Sequence, residues 1–175
     1  MSFRDDKKDI FITAQGKSLS FEQIYLELIK PVYYVAYGVL RNKEDAEDIA
    51  HDVFLTFFQM DDSNRIRNIK DYLLKMSRNK ALNYLKKKNR EELTDDFSAY
   101  EDRSDAKSGE CGTGQIEDEV NRLPLEERQI FIMHVKAGLK FRQIAGIMEM
   151  PLQTVHRRYK SAIMTLQLTL KKDSD

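Results

Sequence analysis

Residues 91–115 constrain this chain more than any other segment. They are acidic, short of aliphatic side chains, and include Gly109, Gly112 and Gly114. Such a composition cannot bury enough apolar surface to offset the entropy of ordering, so it reads as a solvated linker. On both sides of it, apolar residues recur at the three-to-four spacing of a helical face. The expectation is an all-α chain: a tail at 1–19, a helical domain at 20–90, a flexible acidic linker at 91–115, and a second helical domain at 116–172. Its 175 residues suffice for two small domains, and seven Gly and three Pro are too few for a turn-rich β fold.

In the first half, Ser20 with Gln23 has the spacing of a capping box, and Ile24, Leu28, Val32 and Val35 continue one apolar face. Pro31 within this pattern predicts a kink or a break. A second helix is expected after Asn42, with Glu44, Asp45, Glu47 and Asp48 near its positive end and Ala46, Ile49, Val53 and Phe57 facing inward. The polar run 60–64 breaks it. A third helix spans 66–88, with Ile66, Ile69, Leu73 and Met76 inward. The tail has weak periodicity and predicts at most a short helix. Beyond the linker, Ile116, Val120 and Leu123 lead to Pro124 at a helix start, and Gly138 is the expected C-cap. Helices at 141–149 and 152–170 follow, turning around Pro151, which suits a helix start because its missing N–H would be unpaired there.

Lys+Arg and Asp+Glu both number 29, yet the charges are segregated. Residues 65–90 carry 10 basic and 1 acidic side chain, and residues 120–172 carry 10 and 3, whereas 21–62 and 91–119 are acidic. Two basic blocks between acidic ones suggest two polyanion-facing surfaces despite the zero total. The longest uncharged apolar run, 31–40, is too short to span a membrane, and the charged N-terminus is no secretory signal. A single cysteine, Cys111, excludes an intramolecular disulfide and a multi-thiolate zinc site. A soluble, cytoplasmic protein without a cofactor is expected.

The last two helices have helix-turn-helix spacing, with small Ala145 at the crossing and Val155 ten residues on. Leu152, Val155, Tyr159, Ala162 and Leu166 form one stripe; Gln153, His156, Arg157, Lys160 and Ser161 form the opposite one, suited to base edges in a major groove. Thr154 and the first-turn N–H groups are placed to hold a phosphate, and Arg158, at the edge of the face, to touch another. A helical hairpin with a solvated basic face is the plainer alternative. On the third helix, Lys75, Asn79, Asn83, Lys86 and Arg90 lie within about a quarter-turn, flanked by Arg78, Lys80, Lys87 and Lys88. Cations with interspersed amides fit phosphate and base contacts; a solubilising face is the alternative. Tyr72 and Tyr84 are core-edge residues by default, although they could stack on bases.

Glu44 to Asp52 brings carboxylates one turn apart, but His51, His134 and His156 belong to separate helices, and no phosphate loop or nucleophile elbow occurs. Catalysis is unsupported. A metal-dependent nuclease using Asp45, Asp48 and Asp52 is the remote enzymatic alternative.

Three motifs occur in order around the linker. Asp45-Ala-Glu-Asp-Ile-Ala-His-Asp-Val-Phe-Leu resembles the polymerase-clamp-binding helix of the extracytoplasmic-function sigma factors of the sigma-70 family. Residues 68–87, from Asn68-Ile-Lys-Asp-Tyr onward, resemble the family's promoter-melting helix, and Leu123-Pro-Leu-Glu-Glu-Arg-Gln-Ile-Phe with the helix pair after it resembles its fourth region. The resemblance covers about 21–170 and implies a non-catalytic transcription initiation subunit. Its first domain would bind the clamp through Asp48, His51, Asp52 and Phe54, and capture a minus-ten base in the loop holding Ser63, Asn64 and Arg65. Its second would read the minus-thirty-five element. The implied partners are core RNA polymerase, at clamp and flap, and promoter DNA, with an anti-sigma protein as a further one. His51 and Asp52 stand where the family usually has Gln and Glu. Gln143 replaces a usual Glu, Glu149 a frequent Gly in the turn, Gln153 a frequent Gly and Ser161 a frequent Arg. A sigma-like regulator, or a degenerate sigma domain acting as an anti-sigma decoy, is the alternative within the binding class.

Overall fold

The computed structural model describes residues 10–12, 18–60, 66–95 and 115–172. Ser20 caps α1 (Phe21–Leu40): its hydroxyl accepts from the Gln23 N–H at 3.2 Å, and the Gln23 side chain accepts from the Ser20 N–H at 3.0 Å. This is the reciprocal box that its spacing predicts. Ile24, Leu28, Val32, Val35 and Val39 are buried along one face. Of the kink or break expected at Pro31, the break does not occur: α1 continues through it. Proline removes the donor to the Glu27 carbonyl, but Glu27 is on the exposed side, open to water, while Leu28, Val32 and Val35 stay buried across the site. The apolar burial on both sides outweighs one missing bond.

Arg41 ends α1 in the left-handed region at φ 57°, and Asn42 caps α2 (Lys43–Gln59), its side chain accepting from the Asp45 N–H at 2.9 Å. Helix α3 (Ile69–Asp95) crosses both, starting three residues later and ending seven later than the sequence suggests. Its buried residues include Ser77, whose hydroxyl donates to the Val32 carbonyl at 2.8 Å. The tail also differs from expectation. Strands β1 (Ile10–Ile12) and β2 (Ser18–Ser20) pair antiparallel, with Phe11 opposite Leu19. Three-residue strands are too short to leave a readable alternation. Phe11 anchors the hairpin, 2% exposed and stacked on Phe57 at 5.0 Å.

The second half comprises α4 (Gln115–Arg122), α5 (Leu125–Val135), α6 (Phe141–Met148) and α7 (Leu152–Lys172). Pro124 occupies the N-cap position of α5; its C-cap is Lys136 rather than the expected Gly138, which lies two residues further on in the left-handed region at φ 67°. Pro151 lies just outside α7, its carbonyl accepting from the Thr154 N–H at 2.9 Å. Ile116 and Leu152 are exposed rather than inward, although Val120 and Val155, on the same stripes, are buried.

The two helical halves are packed on one another. Helix α5 lies along α1, and α6 lies against α3. Val32, Val35, Leu73 and Leu74 share one core with Ile130, Met133, Ile144 and Ile147. A second cluster joins Val120, Leu123 and Ile132 to Tyr34 and Tyr37 of α1.

Truncating the hairpin's anchor tests whether it belongs to the folded unit. Phe11→Ala should cost about 3–5 kcal/mol, the usual range for a buried phenylalanine. Urea unfolding should show the loss as a lower midpoint with a nearly unchanged slope.

Candidate nucleic-acid and polymerase interfaces

The turn between α6 and α7 is built from local bonds. Gln143, standing where the related motif has Glu, still accepts from the Lys140 N–H at 3.1 Å and so holds the start of α6. Glu149 ends α6 in the left-handed region at φ 55°, a conformation that costs a side-chain-bearing residue roughly 1–2 kcal/mol. Val155 and Ala162 are fully buried beneath α7. His134, Phe141 and Tyr159 pack ring on ring, and His134 Nδ1–H donates to the Leu139 carbonyl at 2.9 Å. On this base, Gln153, His156, Arg157, Lys160 and Ser161 all face solvent, as their spacing predicts, and Thr154 is half-buried in the first turn. The His156 ring rests 4.5 Å from that of Phe141, which limits its freedom. Arg158 is not a free phosphate-binding cation: it pairs with Glu126 of α5 at 2.6 Å. Its place at the edge of the stripe turns it toward α5.

Along α3, Asn79, Asn83, Lys86, Lys87 and Arg90 are exposed. Other members of the expected set are engaged. Lys75 lies 3.5 Å from Glu149, and Arg78 is half-buried, donating through Nε to the Gln129 side chain at 3.0 Å. Desolvation lowers the Arg78 pKa, opposed by Glu126 and Glu149 nearby. Lys80 meets Asp52 at 2.6 Å. The Tyr84 hydroxyl donates to Asp45 at 2.9 Å, with Lys88 at 3.3 Å from the same carboxylate. Tyr72 donates to the Met60 sulfur at 3.4 Å. Tyr72 therefore sits at the core edge, as expected, whereas Tyr84 is exposed and packs against no core cluster. Ser63, Asn64 and Arg65 lie outside the described residues.

Helix α2 presents Asp48 and His51 to solvent, together with Asp52, which is held by Lys80. Phe54 is withdrawn from any partner: it is buried, with its ring 4.9 Å from that of Tyr25. In its place Leu55 and Phe58 are exposed, four and seven residues after His51 and so on the same helical face. Their signal in the sequence is an apolar pair lying off the inward stripe. Beside them, Ile29, Lys30, Tyr33, Tyr34, Glu47 and His51 line a cavity of about 440 Å³ between α1 and α2. Among the described residues, no three His, Cys, Asp or Glu side chains come together as a metal site; Asp45 and Asp52 face the cations of α3.

Arg128 is the buried charge that the periodicity does not reveal. Its Nε donates to the Gly38 carbonyl at 3.0 Å, Nη2 to Val39 at 3.3 Å, and Nη1 to Leu123 at 3.1 Å. Burial, with Arg41 nearby, brings its pKa down to about 10, so it remains charged at neutral pH.

A helix-turn-helix with a polar face, beside a second bundle carrying a cation-rich helix, defines a helical DNA-binding transcription protein. The Sigma-70 region 2 model matches residues 24–91 and the Sigma-70, region 4 model matches 113–166. The chain belongs to the sigma-70 family of RNA polymerase sigma factors, and its type of region 4 is typical of the extracytoplasmic-function group. It is a transcription initiation subunit of a family without catalytic chemistry of its own. No curated protein matches the sequence. Two of the solved structures similar in fold show the match. One is the sigma factor RpoE in complex with the anti-sigma factor NepR from Bartonella quintana, with TM-score 0.69 and 23% identity over 86% of this chain and 96% of that one. The other is CnrH in complex with the cytosolic domain of CnrY, with TM-score 0.62 and 17% identity over 91% and 93%.

The phenol at the cavity wall supplies a pH test. Burial first, then Tyr37 and Glu47, raises the Tyr33 pKa from 10.0 to about 12. The folded state keeps this proton where the unfolded state releases it. Its stabilising contribution is therefore complete below pH 10 and declines as pH rises towards 12. Ultraviolet titration should show a late-ionising tyrosine that disappears in Tyr33→Phe.

Proposed function

We propose that the first half docks on the clamp of core polymerase through α2 and engages the minus-ten element through the exposed part of α3, and that α7 reads the minus-thirty-five element. The DNA reading rests on one observation: Gln153, His156, Arg157, Lys160 and Ser161 share an exposed face, backed by buried Val155 and Ala162. Arg157 is the base reader among them, because a guanidinium can bond a guanine edge in bidentate fashion. Asp48 and His51 supply polar contacts to the clamp, and exposed Leu55 and Phe58 supply the apolar burial first expected of Phe54. Met164 and Leu168, one turn apart and exposed on α7, offer an apolar patch to the flap. An anti-sigma partner is supported by the similarity to RpoE, solved with one. No helix among the described residues is long and apolar enough to cross a membrane, which accords with work beside polymerase in the cytoplasm.

Run-off transcription with core polymerase distinguishes this function from that of a sigma-like regulator or a decoy, because neither of these initiates. The parent should direct start-site-specific transcripts. Asp48→Lys with Leu55→Ala should weaken core binding by about tenfold or more in a fluorescence titration, since central interface residues each contribute above roughly 1 kcal/mol. Helical content should stay at the parental value.

In a binding-site selection, Arg157→Ala should relax preference at one or two minus-thirty-five positions, a loss of about 1–3 kcal/mol of discrimination. A parental sequence profile would place the reading face elsewhere.

A further inference from the structure

Of the residues lining the cavity between α1 and α2, only His51 has a place in the docking surfaces assigned above. The volume, about 440 Å³, falls within the range of about 300–1,000 Å³ that small-molecule sites occupy. Ile29 and Tyr33 stand one turn apart on α1, as do Lys30 and Tyr34, so one wall offers an apolar row beside a row with a cation and a ring. On the α2 side Ala50 is 1% exposed, and its single methyl leaves the space that a larger side chain would fill. The Tyr33 and Tyr34 rings meet at 5.2 Å and 67°, which makes an aromatic corner, and Tyr37 stacks behind Tyr33 at 5.9 Å.

The polar groups of this cavity are not used within the protein. The hydroxyls of Tyr37, Tyr72 and Tyr84 have hydrogen-bond partners. Among the described residues those of Tyr33 and Tyr34 have none, and Lys30, Glu47 and His51 form no ion pair. Burial, with Tyr37 and Glu47 nearby, holds the Tyr33 pKa at about 12, so its phenol is a donor at neutral pH. An ammonium, two phenols and an imidazole thus surround one carboxylate. Donors in excess suit an acidic head group, the aromatic corner suits a flat ring, and Glu47 suits a single N–H or O–H on that ring.

We propose that the cavity is an effector site for a small planar aromatic acid bearing an N–H or O–H donor, an indole carboxylate being the simplest probe of the class. The ring lies against Tyr33, Tyr34 and Ala50, the carboxylate accepts from Lys30 and the phenols, and the ring donor meets Glu47. His51 both lines the cavity and belongs to the exposed face of α2. An occupied cavity therefore engages that imidazole and opposes docking on the clamp, a consequence that rests on the reading of α2 as the clamp-binding helix.

The chain contains no tryptophan, so indole fluorescence reports on the probe alone. Indole-3-acetate should bind the full chain with a Kd of roughly 0.1 mM, in keeping with a ligand of its size. Tryptamine, with an ammonium in place of the carboxylate, and naphthalene-1-acetate, which lacks the N–H, should each bind about fivefold more weakly when measured by calorimetry. Lys30→Met should weaken indole-3-acetate by about tenfold and remove the preference over tryptamine. Glu47→Ala should remove the preference over naphthalene-1-acetate. Both positions are exposed, so helical content should stay parental. Equal affinity for the three probes, parental affinity in Lys30→Met, or no binding at millimolar concentration would each overturn the proposal. Saturating indole-3-acetate should then lower the affinity of the parent for core polymerase by about tenfold, and that of Lys30→Met hardly at all. Binding of the probe with core affinity unchanged would overturn the coupling and not the α2 reading, which Asp48→Lys with Leu55→Ala tests without any ligand.

Discussion

The Arg128 guanidinium joins the carbonyl ends of two helices. Gly38 and Val39 at the end of α1 and Leu123 after α4 direct lone pairs at it from both halves of the chain. Helix C-termini leave their last carbonyls unpaired and carry partial negative charge, so one buried cation satisfies several acceptors that packing would otherwise strand. Among the described residues no carboxylate is a hydrogen-bond partner of it, and the depressed pKa reflects desolvation first and Arg41 second. The neighbouring contacts follow from this placement. Helix α5 can lie against α1 because Gly38 has no side chain, and Ile130 and Met133 then complete the core over Val32 and Val35.

The segregated charge of the sequence is partly spent within the fold. Asp45 and Asp52 of α2 draw on Tyr84, Lys88 and Lys80 of α3, fixing the relative position of two helices assigned to different partners. Glu126 does the same for Arg158, setting α7 against α5. Exposed pairs of this kind contribute less than about 1 kcal/mol each, so their consequence is positional. What remains open to solvent is narrower than the charge blocks suggest: the outer part of α3, one face of α7, and the His51–Leu55–Phe58 face of α2.

Local signals carried the reading of the helices. Ser20 with Gln23, Asn42 before its acidic turn, and Gly138 after α5 act through bonds or dihedral angles within a few residues, so sequence order suffices to find them. The exposed stripe of α7 was legible for the same reason, as helical periodicity alone separates Val155 from Arg157. Where the outcome depended on a distant neighbour, the pattern failed. Phe11 is ordered by Phe57, Pro31 is tolerated because its helix is buried on both sides of it, and Phe54 faces Tyr25 rather than a partner.

The sequence by itself therefore determined the seven helices among the described residues, the order of the two regions, and the family, since the motifs and their spacing are properties of the chain alone. Only the tertiary structure decided which cations are free. Lys75 and Lys86 stand on the same helix with similar claims to DNA, yet Glu149 reaches the first and the second is exposed. The physical reason is that charge availability is set by what lies within a few ångströms, and those neighbours come from helices separated by 28 to 90 positions in the sequence.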